Sequence, residues 1–114
     1  MKAVASELLK NLPGKVTDKW PMGERFTHAF SHGTMSVEFY APIGSDPQTP
    51  HAQDEIYFIF SGTGEFVMAG ERYAFGPGTA FFVRAGVEHR FENFTPEFST
   101  WVVFWGPPGG EHIA

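Results

Sequence analysis

From Phe26 onward the hydrophobic and polar positions of this chain alternate with a period of two. Phe26, His28, Phe30 and His32 fall on one face of an extended segment, and Thr27, Ala29 and Ser31 on the other. Gly33 turns the chain, and Thr34 to Tyr40 predicts the next strand. Pro42 to Pro50 is a Pro/Gly/Ser/Asp loop, and Ile56 to Phe60 is a strong apolar strand closed by a Gly62-Thr63-Gly64 turn. Glu65 to Met68, Arg72 to Phe75, Thr79 to Val83, Glu88 to Phe94 and Phe98 to Trp105 follow, separated by glycine and proline turns. Only the beginning departs from this period. Ala3 to Leu12 puts Leu8, Leu9 and Leu12 on one face of a short helix that Pro13-Gly14 stops.

Short strands punctuated in this way predict an all-β barrel or sandwich, and closure removes exposed strand edges. Two strands are apolar on both faces: Glu55 to Phe60 and Phe98 to Trp105. A strand of that kind needs cover on both sides. The barrel interior supplies one cover; a second sheet, the N-terminal helix or another subunit supplies the other. A homodimer is therefore expected.

The chain has 114 residues, enough for one domain with its own core. The expected division is a helix and arm over 1–25, a barrel over 26–106 and a tail over 107–114. Phe reaches 13, with 13 Gly and 9 Pro, which suits aromatic-rich strands joined by tight turns. Cys is absent, so no disulfide or thiolate enters and metal ligands must come from His, Asp and Glu. The net charge is -5 and the 8 Lys and Arg do not cluster, which argues against a nucleic-acid partner. No stretch has the length of a membrane span, and Met1 to Lys10 lacks the apolar core of a signal peptide. A cytoplasmic protein is the expectation.

The candidate chemistry lies in two segments. His51 and Glu55 stand four residues apart, entering a strand on one face, and His89 follows a glycine turn further on. Two imidazoles and a carboxylate inside a barrel suit Zn, Fe, Mn, Ni or Cu and leave coordination positions open. Taken singly, each residue reads equally as a hydrogen-bonded core or surface side chain. Tyr57 continues the face of Glu55 as a cavity wall. Arg84 recognises a carboxylate or phosphate if it reaches the pocket, and is otherwise a solvated rim residue. His28 is an acid/base candidate or an edge residue. Trp20, Trp101 and Trp105 read as core or interface aromatics.

These two segments resemble the motifs of the cupin superfamily. The first is matched by His51, Glu55 and, six residues beyond it, Gly62; the second by Gly78, Gly86, His89 and Asn93 in register. Thr49 stands where the family has its first His, Arg84 where it has Pro, and Gly44 lies one residue too close to serve as the opening Gly. The resemblance implies a double-stranded β-helix, or jelly-roll barrel, with a short N-terminal helix. It implies a divalent ion (Zn, Fe, Mn or Ni) on His51, Glu55 and His89, with Gln53 or Thr49 as an additional ligand or a neighbour of one. The implied activities are those of a metal-dependent dioxygenase, isomerase or lyase. The alternative is a non-catalytic binding barrel whose metal is structural or absent.

Overall fold

The computed structural model describes residues 1–113; position 114, the last of the expected tail, lies outside the described residues. The elements run α1 (Ala5–Leu9), β1 (Phe26–His32), β2 (Met35–Tyr40), β3 (Asp54–Ser61), β4 (Gly64–Met68), β5 (Glu71–Phe75), β6 (Ala80–Val83), β7 (His89–Glu92) and β8 (Ser99–Trp105). The strands pair antiparallel in two sheets, ordered β1-β2-β8-β3-β6 and β5-β4-β7. This is the all-β architecture that the alternation and turns predict, in the jelly-roll form that the resemblance implies.

The core lies between the sheets. Tyr57, Ile59, Val83 and Val102 of the large sheet meet Phe66, Phe75 and Phe91 of the small one. Strand register sets which residues look inward: Tyr57 lies opposite Val102 and Phe81, and Glu55 opposite Phe104 and Val83. In β1 the expected common face is broken. Phe26 and His28 pair with Tyr40 and Glu38, but an irregularity before Phe30 pairs that residue with Val37. One extra residue in a strand reverses the parity of everything after it, so Phe30 and His32 move to the outer face.

The helix is shorter than Ala3 to Leu12. After Leu9 the backbone bonds run three residues back, Lys10 to Glu7 and Asn11 to Leu8, and tighten the last turn. Ala5 and Leu8 pack on Phe39, which is fully buried, while Leu9 stays exposed. This covers one end of the outer face of the large sheet. Phe58, Phe60 and Phe82 remain 46%, 50% and 49% exposed on the rest. Within one chain, the second cover expected for the doubly apolar strands is therefore only partly supplied.

The arm after the helix folds back on itself. Gly14 N–H donates to Glu24 O (2.7 Å) and Glu24 N–H to Lys15 O (2.9 Å), with Thr17 and Trp20 closing the turn. It carries Trp20 edge-on to Phe26 and Tyr40, with ring centroids 6.2 and 6.1 Å away.

Two motif positions have local structural causes. Gly62 has φ +87°, and a Cβ there would sit 2.5 Å from Phe98 Cα, so glycine alone fits. Asn93 has φ +52°, a conformation Asn adopts more readily than most residues, and its Nδ2 donates to Glu65 Oε1 (2.7 Å).

Asp54 fastens the C-terminal segment to the barrel. Its carboxylate accepts from Glu111 N–H and Ala85 N–H, both at 2.9 Å. These donors, Glu111 first, hold its pKa below the ordinary aspartate value. A depressed folded-state pKa means the stabilisation is complete above the unfolded value and is lost as pH falls through the folded one. Acidification should therefore release the Glu111 amide to hydrogen exchange before the barrel unfolds. Asp54→Asn should give fast exchange at that amide already at neutral pH; protection unchanged in the variant would refute the fastening role.

Candidate metal centre

Glu55 looks inward from the start of β3, where strand alternation places it with Tyr57 and Ile59. His51 precedes the strand rather than lying in it. Its carbonyl accepts from Gly86 N–H (2.8 Å), and Ala52 O accepts from Gly109 N–H (2.7 Å). The Gly86 turn leads into β7, whose first residue is His89. The same turn thus positions one histidine by a hydrogen bond and the other by chain continuity.

The three side chains converge. Glu55 Oε1 lies 2.8 Å from His89 Nε2 and 3.1 Å from His51 Nδ1. One donor atom from each falls within 4.8 Å of the others. Glu55 is 1% exposed, and its Oε2 has no hydrogen-bond partner among the described residues. An unsatisfied buried oxygen of this kind costs about 1–3 kcal/mol, more if charged. Burial pushes the Glu55 carboxyl up, but hydrogen bonds and charge from His51 and His89 outweigh it and leave the pKa lowered.

His89 faces an acceptor on each side, Val87 O at 2.9 Å from Nδ1 and Glu55 Oε1 at Nε2. Both ring nitrogens satisfy these acceptors only when both carry protons. Burial opposes that charge, yet Glu55 prevails and the His89 pKa is raised. A cation at Nε2 would replace the proton there while Nδ1–H keeps its bond to Val87, the usual outer support of a metal-bound imidazole. The donor set and the unpartnered Glu55 oxygen both fit a divalent transition ion.

Beside the cluster runs a hydrogen-bonded chain absent from the sequence reading. Tyr57 O–H donates to Gln48 Oε1 (2.9 Å) and its oxygen lies 3.0 Å from His89 Nε2. Gln48 Nε2–H donates to Asp46 Oδ2 (2.6 Å), which also accepts from Phe91 N–H (2.8 Å), while Tyr40 O–H donates to Asp46 Oδ1. Burial, then the Glu55 charge, raises the Tyr57 pKa well above its ordinary value, so it stays a neutral phenol.

The site opens into a cavity of about 540 Å³. Of the three donors His51 lines it, together with Tyr57 and Gln48, and Trp20 and Phe26 line it from the arm and β1. Gln53 also lines it, and its amide nitrogen donates to Thr34 O and Gly106 O (3.1 and 2.9 Å), so it ties loops together. Thr49 is exposed in the loop. Arg84 does not line the cavity. Val83 points inward, so its neighbour points out, into a second, smaller pocket with Asp54 and Glu111. His28 has the inward register but sits exposed on the edge strand, outside the lining. Glu38, which the sequence reading passed over, does line the cavity.

The comparisons fall on this same part of the chain. The family model Cupin_2, described as a cupin domain, matches residues 36–105. This chain is a cupin. Among known proteins it is 40% identical over 76 residues to the uncharacterized protein SCO3923 of Streptomyces coelicolor, covering 65% of this chain and 71% of that one. Among solved structures, the cupin 2 conserved barrel domain protein of Salinispora arenicola superimposes with a TM-score of 0.61 at 22% identity, covering 71% of this chain and 74% of that one. KdgF from a Halomonas species gives 0.63 at 16% identity, covering 72% and 77%. At these identities the two structures show a shared fold. This cupin departs from the usual motif at Thr49, and its structure brings three donors together without that position.

Proposed function

We propose that this cupin is a metal-dependent enzyme acting on a small polar molecule held in the barrel. His51, Glu55 and His89 hold one divalent ion, with Zn, Fe, Mn and Ni all suited to two imidazoles and a carboxylate. The observation that carries the reading is the buried Glu55 Oε2 with no partner, placed among two convergent imidazoles. Bound there, the ion would act as a Lewis acid toward a substrate oxygen or, if iron, as an oxygen-activating centre. The chain's own groups do the rest. Val102 and Phe104 exclude water from the cavity wall, and the neutral Tyr57 hydroxyl, fixed by Gln48, orients a ligand oxygen beside His89. Dioxygenase, isomerase and lyase chemistry all start from such a complex.

Elemental analysis of protein produced with Mn, Fe, Ni or Zn tests this. About one equivalent of one ion is expected. A content near zero under every supplement would overturn the metal reading and leave a non-catalytic binding barrel.

We also propose that the outer face of the large sheet pairs with a second copy. Its outward residues Ile56, Phe58, Phe60, Phe82, Trp101 and Val103 are uncharged, and the three Phe are about half exposed. Contiguous apolar surface of this kind marks an interaction site. Light scattering should give twice the chain mass, and Phe60→Glu should give a folded monomer. A wild-type monomer at micromolar concentration would refute the pairing.

A further inference from the structure

The cavity holds a second carboxylate that the metal reading does not use. Glu38 lies on β2 with Val102 between it and Tyr57, so the register places the two backbones about 10 Å apart across one inner face. Its side chain lines the cavity, and no protein group among the described residues hydrogen-bonds or ion-pairs with it. His28 lies directly opposite it on β1, and Tyr40, Phe26 and Trp20 line the same cavity. Tyr40 is two residues on along the same face, Phe26 lies opposite Tyr40, and Trp20 meets both edge-on.

We propose that Glu38 and this aromatic wall form a subsite for a primary ammonium group. The molecule this cavity takes then carries a cationic nitrogen at one end and an oxygen donor for the metal at the other; the second half rests on the metal reading above. A carboxylate and aromatic faces share one preference, for cations over anions and neutral groups. Burial pushes the Glu38 carboxyl up, eased by His28 and His51 and reinforced by Glu55, so this acid gains from a cation brought to it. The arm adds Lys19 and Glu24 to the lining, one charge of each sign, and so does not neutralise the pocket. Lys19 makes no ion pair with Glu38 among the described residues.

Matched probes separate the two ends. Butylammonium and 1-butanol differ in charge at nearly equal shape, as do 4-aminobutanoate and pentanoate. In the wild type each ammonium compound should bind at least about tenfold more tightly than its neutral-ended partner, equivalent to about 1.4 kcal/mol. Glu38→Gln should reduce both preferences at least severalfold while keeping the wild-type metal content and melting temperature. Trp20→Leu should weaken butylammonium more than 1-butanol and so tests the aromatic half independently. Removing metal should weaken both acids alike and leave the preference for butylammonium over 1-butanol intact. If the metal reading fails, that last preference survives. If instead Glu38→Gln leaves the discrimination unchanged, or butylammonium shows no saturable binding, the ammonium subsite is overturned.

Discussion

Saturating metal-stripped protein with a suitable divalent ion should raise the melting temperature by about 10 °C, and His89→Ala should abolish the rise. A ligand that binds only the folded state at a hundred times its dissociation constant adds about 2.7 kcal/mol. In a domain of this size each kcal/mol moves the midpoint by roughly 4 °C. His89 supplies a buried nitrogen 2.8 Å from Glu55 Oε1 and is held by Val87, so its loss removes both a donor and the fixed geometry of the pair. Glu55→Gln should behave alike, because an amide is a poor substitute for the carboxylate shared by both imidazoles. Binding should release protons, seen in calorimetry as an enthalpy that depends on the buffer. No thermal shift with Mn, Fe, Ni or Zn, or an equal shift in His89→Ala, would remove these residues from the site.

Phe66→Ala is expected to cost about 4 kcal/mol, measured by urea unfolding. Phe66 is fully buried on β4, in the small sheet. Its ring stacks on Phe81 at 4.4 Å and meets Phe91 and Tyr57 at 4.7 and 5.6 Å, so it joins the two sheets through side chains from both. Removing it leaves a cavity that rigid strands cannot close. A loss of this size is a large part of a total stability of roughly 5–15 kcal/mol. The ring also stands 6.0 Å from His89, so the variant should bind metal less tightly even where it is still folded. A cost below about 1 kcal/mol would mean that the sheets are joined elsewhere.

Much of this was legible in the residues. Alternation and glycine turns located all eight strands, because period two and tight turns are local properties of the chain. His51, Glu55 and His89 could be grouped in advance because two lie close in sequence and the third follows a marked turn. What was hidden depends on details without a local signature. The irregularity near Ala29 changes the face of Phe30, although nothing in the surrounding residues announces it. Asp46 and Gln48 sit in a loop whose composition says only that it turns, yet their side chains carry the hydrogen bonds to Tyr57. Glu38 did leave a trace, as a charge at an inward position between Ser36 and Tyr40, which strand parity would have exposed. Arg84, open between pocket and rim, could have been decided in the same way: beside the inward Val83, parity sends it out.

The origin of the cavity's walls divides the molecule along a different line. All three convergent donors fall within residues 36–105, the stretch that the family model recognises. Thr17, Lys19, Trp20, Glu24 and Phe26 line the same cavity from before it. The family match therefore spans the three convergent donors, while part of the cavity wall comes from residues before it. Replacing residues 15–25 should therefore change which molecule the cavity takes while leaving the His51, Glu55 and His89 cluster in place.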